Sequence, residues 1–93
     1  MSEIVRKEYS THDGAWVIER DGATLAELYY KSAPGRIVLE LTTVSDALRG
    51  SGAGKRLIEA AAQWARAANV TVIPMCPYAK SVFKKNPELR DVL

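Results

Sequence analysis

A chain of 93 residues, 47% hydrophobic and 26% charged, is sized for one soluble domain with one core, and it contains no apolar run near the roughly 20 residues that cross a bilayer. One cysteine, Cys76, and one histidine, His12, exclude a disulfide framework and a zinc-type cluster; the polar N-terminus MSEIVRKEY lacks the apolar core of a signal peptide, so a cytoplasmic address without membrane contact is expected. The formal net charge of +2 conceals a division: residues 49–85 sum to +6 and residues 1–48 to −3, which favours a small polyanion as the partner of the second half.

In chain order, Glu3–Tyr9 reads as a first strand, and His12-Asp13-Gly14 as the turn after it. Ala15–Arg20 and Thr24–Lys31 flank Asp21-Gly22, the dipeptide of a tight hairpin with a primed turn. Alternation along the second arm sets Thr24, Ala26, Leu28 and Tyr30 on one face and Leu25, Glu27 and Tyr29 on the other, with Leu28 as the core member. Pro34-Gly35 reverses the chain into a fourth strand, Arg36–Val44. A glycine-rich stretch follows, and then Ala53, Leu57, Ile58, Ala61, Trp64, Ala65 and Ala68 fall on one face of a helix, with Lys55, Arg56, Glu59, Gln63 and Arg66 opposite. Asn69 suits the C-cap, Val70–Ile73 is short and β-branched enough for a fifth strand, and Pro74 and Pro77 bracket Met75-Cys76. Tyr78–Asn86 forms a second helix, with a tail from Pro87. Trp16, Trp64 and Phe83 are expected in the core and His12 in a solvent-facing loop.

The order ββββ-α-β-α predicts an α/β (α+β) fold in a single domain over residues 1–93: a mixed, mostly antiparallel sheet of about five strands with two helices. The strands on either side of the first helix become parallel through a right-handed crossover, and a ligand crevice then opens at their carboxyl ends. That is where Arg49–Lys55 lies, R-G-S-G-A-G-K, three glycines in five positions. Permissive backbone at a helix N-terminus presents unpaired N–H groups to an anion, most simply a phosphate. A nucleotide P-loop fails here because Arg49 replaces its first Gly and Arg56 follows Lys55 where Ser or Thr is required. The dinucleotide fingerprint fails because Gly50-Ser51-Gly52 is followed by Ala53-Gly54-Lys55.

What remains, R-x-x-G-x-G from Arg49, Gly52 and Gly54, resembles the acyl-CoA pyrophosphate loop of the GCN5-related N-acetyltransferases. The longer string V-S-D-A-L-R-G-S-G-A-G-K-R-L with the later V-I-P-M-C-P-Y is similar to the small, roughly ninety-residue GNAT-like proteins. The resemblance implies a reduced GNAT-like fold binding acetyl-CoA or CoA. The backbone of Gly50, Ser51, Gly52, Ala53, Gly54 and Lys55 would cradle the pyrophosphate, and Lys55, Arg56, Lys80, Lys84 or Lys85 would supply charge to the 3′-phosphate. The pantetheine arm would add like a pseudo-strand between Thr42–Val44 and Val70–Pro74, and the Val44 N–H would polarise the thioester carbonyl.

For catalysis, the resemblance implies that Tyr78 protonates the leaving thiolate. Cys76, between two prolines and close to a helix N-terminus, is a candidate for an activated thiol or covalent acyl relay. Where the small subgroup commonly reads H-T-E-V, this chain has Leu41-Thr42-Thr43-Val44, so neither replaced position offers a base. Regular strand alternation puts Glu40 on the face opposite Leu41. The leading reading is an N-acetyltransferase that passes an acetyl group from its CoA thioester to an unidentified amine. The alternatives are a non-catalytic CoA or acyl-CoA-binding module and a basic interaction or nucleic-acid-binding domain. The oligomeric state stays open.

Overall fold

Asp21 and Gly22 both take positive φ, 53° and 79°, the left-handed pair that a two-residue primed turn needs, and they join β2 (Asp13–Arg20) to β3 (Ala23–Ala33). A computed structural model describes residues 3–93. β1 (Glu3–Glu8) precedes this hairpin; β4 (Arg36–Val44), α1 (Ala53–Ala68), β5 (Thr71–Pro74) and α2 (Pro77–Lys85) follow it. The five strands form one sheet in the order β1-β2-β3-β4-β5, antiparallel except for the parallel β4–β5 pair. The expected ββββ-α-β-α order and mixed sheet are therefore what the chain adopts.

Element boundaries differ from the expected ones where caps and turns set them. The first strand ends at Glu8, and Asp13 and Gly14 already belong to β2, because the amides of Tyr9 and Ser10 turn back on the Asp13 carbonyl. Pro77 opens α2 at the position where its missing N–H costs nothing, one residue earlier than expected. The tail from Pro87 is a 3-10 helix to Val92 that buries Leu89 and Val92 against the core. Asn69 caps α1 in the left-handed conformation, φ 58°, its amide bonding to Ala65 and Arg66 carbonyls.

Both helices pack on one side of the sheet. Leu57, Ile58, Ala61, Ala62 and Ala65 of α1 join Trp16, Ile18, Leu28, Ile37, Leu39 and Phe83 in a single buried cluster, each fully buried Leu or Ile stabilising by about 1.5–3 kcal/mol. Gly54 and Ala62 are buried, whereas Ala68, expected on the inner face, is exposed in the last turn. Trp64 is half-buried, edge-on to Trp16 at 5.8 Å with the Arg6 guanidinium 4.9 Å from its ring centre.

Two features of β4 position the site. Its pairing with β5 runs only from Arg36–Thr71 to Leu39–Pro74, where proline has no N–H to donate, and the strands then part. Against β3, the register slips at the same level: Tyr30 faces Leu39 and Tyr29 faces Leu41, leaving Glu40 as an extra residue in a β-bulge. The bulge resets alternation. Ile37 and Leu39 point into the core, but Leu41, of the same parity, pairs with Tyr29 on the other face and is exposed. Thr42 and Val44 turn toward the helices instead, opposite the buried Leu28 and Ala26.

Candidate functional site

The glycine stretch is built by backbone conformation that only glycine adopts freely. A 3-10 turn over Asp46–Leu48 leads out of β4, and Gly50 and Gly52 then take φ 77° and 80° before α1 begins at Ala53. Ser51 closes the turn on itself: its amide and its hydroxyl both donate to the Leu48 carbonyl, at 3.1 and 2.5 Å. The first-turn amides of α1 have no carbonyl one turn earlier within the helix, so they face outward with the positive end of the helix dipole.

Gly54 has a different reason to be glycine. It is helical, and a Cβ on it would lie 2.6–2.7 Å from the phenol of Tyr78. The third glycine of the stretch thus makes room for the ring that leads α2, and the Tyr78 phenol sits on the N-terminus of α1.

In front of these elements lies a cleft of about 470 Å³. It is lined by Thr42 and Val44 from the part of β4 that β5 no longer pairs, by Leu48, Arg49 and Gly50 from the turn, and by Gly52, Ala53, Gly54 and Tyr78 from the two helix starts. The Ser45 amide donates to the Leu25 carbonyl across the sheet, so by strand alternation the Val44 amide points the opposite way, into the gap that β5 leaves. Arg49 pairs with Asp46 at 3.0 Å, both exposed, a contact weak enough to yield to another anion.

Cys76 is buried at the N-cap of α2 and touches Thr42 of the cleft wall, its Sγ 3.3 Å from Thr42 Oγ1. Burial pushes its thiol up, but hydrogen bonds from the Thr42 hydroxyl and from the Ala79, Tyr78 and Thr42 amides outweigh that and hold it below the ordinary cysteine value. The arrangement is a small sulfur-anion seat at a helix N-terminus. His12 is exposed in the β1–β2 turn, far along the chain from this thiol.

Of the residues singled out from sequence, the cleft brings together Val44, Arg49, Gly50, Gly52, Ala53, Gly54 and Tyr78. Ser51, Lys55, Arg56, Lys80 and Cys76 are not among its walls. Lys55 and Lys80 are exposed on the first turns of α1 and α2, and Arg56 is half-buried on α1. Thr42 and Leu48 were missed as individual residues. Thr42 becomes visible only through the bulge at Glu40, which no local sequence signal announces.

The chain matches the family model described as GCN5-related N-acetyl-transferase over residues 9–92. Among solved structures, it resembles a GCN5-like protein from Staphylococcus aureus at 32% identity and a TM-score of 0.73, covering 99% of this chain and 89% of that one. It also resembles a ribosomal-protein-alanine N-acetyltransferase from Brucella melitensis biovar Abortus 2308, at 16% identity and TM-score 0.68, covering 82% of this chain. The chain spans 62% of that enzyme's length. A third likeness is to the aminoglycoside N-acetyltransferase AAC(6′)-Iy in complex with CoA, at 17% identity and TM-score 0.57, covering 86% of this chain and 68% of that one. The last two show a shared fold. A search of curated proteins finds no match.

Proposed function

Because this chain belongs to the GCN5-related N-acetyltransferase family, we propose that it binds acetyl-CoA or CoA in the cleft between β4 and α1 and transfers the acetyl group to an amine. The observation that carries this reading is the parting of β4 from β5 after Leu39–Pro74, directly beside the glycine stretch. It leaves an extended, peptide-binding strand edge leading to an anion seat, which is the shape of pantetheine followed by pyrophosphate. Gly50 and Gly52 keep that seat open, Arg49 borders it, and Lys55 and Lys80 stand on the adjoining first turns for a further phosphate.

Acetyl transfer from a thioester to an amine forms a C–N bond, breaks a C–S bond and moves one proton from nitrogen to sulfur. The Val44 amide, aimed into the gap, donates to the carbonyl oxygen as negative charge develops there. The Tyr78 phenol, in the cleft wall, supplies the proton to sulfur. Leu41 and Thr43 take no part as bases, and both lie on the opposite face from the cleft. The nitrogen gives its proton to water, and water returns one to the Tyr78 phenolate, so the net transfer is from nitrogen to sulfur. A second route runs through Cys76, whose sulfur is buried outside the cleft walls but touches the wall residue Thr42: once exposed to the thioester it accepts the acetyl group, its proton passing to the departing thiol, and then yields it to the amine.

Calorimetry with acetyl-CoA and with CoA tests the binding step; micromolar affinity is expected, weakened about tenfold or more by Arg49→Glu. Absence of heat with both ligands overturns the proposal. Where binding holds, free-thiol release over a panel of amines separates a transferase from a binding module, and intact mass after incubation with acetyl-CoA shows whether Cys76 carries an acetyl group.

A further inference from the structure

The sheet has a second face that the cleft does not use. Register sets its side chains in cross-strand rows: Lys7, Ala15, Tyr29 and Leu41 in one, and Val5, Val17, Glu27 and Thr43 in the next. No described helix packs there. Ala15 and Val17 are nonetheless almost fully buried and stand outside the helix-side core, so the face shields them with its own side chains.

Tyr9 does much of the shielding. Its ring stacks on Tyr29 with centroids 6.4 Å apart, and its hydroxyl donates to Glu27 at 2.6 Å, while Tyr29 donates to Asp13 at 2.6 Å. Glu27 is thus held by the Tyr9 phenol and Asp13 by the Ser10 hydroxyl and then the Tyr29 phenol, and Tyr9 is pushed up to about 12, chiefly by its bond to Glu27. Glu40 at the bulge adds to the negative field on Tyr29. Lys7 is taken up by Glu19. The surface left to solvent combines apolar and aromatic area, with Tyr9 51%, Leu41 58% and Val5 42% exposed, and carboxylates.

Leu41 and Thr43 on this face alternate with Thr42 and Val44 in the cleft wall, along the edge of β4 that β5 leaves unpaired beyond Leu39. We infer that this face seats the acceptor, an extended lysine-bearing segment of a protein, with one lysine entering the gap beside Leu41 and Thr43. The inference rests on the acyl-CoA reading of the cleft for the fate of that lysine, but not for the docking. Charge selects the occupant: on this face Asp13, Glu19, Glu27 and Glu40 outnumber Lys7 and Lys31, whereas residues 49–85, which build the glycine stretch and both helices on the other side, sum to +6, so a polycation is repelled from the phosphate seat and drawn to the sheet. Alkylammonium groups pack on the Tyr9–Tyr29 pair and bond to Glu27 and Glu40. Shape selects a peptide, since small ligands need a concave site and this surface is four strands laid side by side.

The test is a backbone-amide NMR titration of the full chain with a short peptide of alternating Lys and Thr. Spermine and the matching Gln/Thr peptide form the other arms. Shifts at Tyr9, Glu27, Tyr29, Leu41 and Thr43 with the lysine peptide are expected, absent with the glutamine peptide and weaker with spermine. Glu27→Lys and the exposed-site variant Leu41→Lys each lower peptide affinity on the order of tenfold at low salt, with CoA affinity unchanged. Shifts confined to the glycine stretch or helices, no shifts, equal response to the glutamine peptide, or spermine binding as tightly as the peptide overturns the inference. CoA binding without sheet-face shifts sinks this inference and spares the cleft reading; peptide docking without CoA binding does the reverse.

Discussion

Cys76 and Gly54 show how single residues owe their roles to neighbours distant in sequence. Proline on either side of Cys76 and the following helix were legible; the Thr42 hydroxyl, 34 residues earlier, was not. Because its thiol is held below the ordinary cysteine value, more of it is thiolate at neutral pH than in a free cysteine. The rate of alkylation by iodoacetamide, followed against pH, is expected to reach half its maximum below the usual pKa of about 8.5, and Thr42→Val moves that midpoint upward. The same shift adds stability above the unfolded thiol pKa and loses it as pH falls through the folded value. At Gly54 two effects oppose each other. Alanine is the better helix former by about 1 kcal/mol, yet its Cβ occupies the space of the Tyr78 phenol. The clash is with the far end of a mobile side chain, so Gly54→Ala should fold with a melting temperature near the parent's. Tyr78 then moves into the cleft, and CoA binding measured by calorimetry weakens about tenfold, recovering when Tyr78→Ala is added.

At the scale of elements, the hairpin, the helices and their order were readable because each has a local cause: Asp21-Gly22 for the turn, a 3.6-residue apolar period for α1, and the prolines on either side of Met75-Cys76 for the break before α2, although the helix opens at Pro77 itself and not at Tyr78. β4 was readable as a strand but not in its facing. One extra residue at Glu40 reverses which side chains meet the core, and that slip is decided by how β3 and β5 both hold the strand. β2 carries a comparable constraint at Gly14, where a Cβ would lie 2.3 Å from the Lys7 carbonyl oxygen of β1 and 2.6 Å from the Tyr30 hydroxyl, itself bonded by Arg6 at 2.9 Å. Backbone cannot swing aside as Tyr78 can. Gly14→Ala is expected to cost about 1–3 kcal/mol, lowering the melting temperature by roughly 4–8 °C per kcal/mol in a domain this small.

Across the whole molecule, charge and layers coincide: the glycine stretch and both helices bring the basic residues of 49–85 to one side of the sheet, and the phenol-held carboxylates lie on the other. The C-terminal 3-10 helix closes the helix layer and is tied to α1 by a two-bond contact of Arg66 with Asp91, at 2.7 and 2.6 Å. That guanidinium holds the Asp91 carboxyl below its usual value. Its contribution is therefore present above the ordinary carboxylate range and disappears as acid protonates it. Asp91→Asn should lower the melting temperature slightly at neutral pH, and the difference from the parent should vanish in acid; a difference that persists there would locate the effect in packing.

By itself the sequence determined the class of fold, the succession of elements, the hairpin turn and the glycine-rich lead into α1, because each follows from local propensity, apolar period or φ that only certain residues tolerate. Tertiary structure alone decided that the cleft is walled by Thr42 and Val44, that Gly54 serves Tyr78, and that Leu41 and Thr43 face away toward an uncovered sheet. Those outcomes depend on strand register and on contacts across tens of residues, where one residue of slip inverts every side chain beyond it.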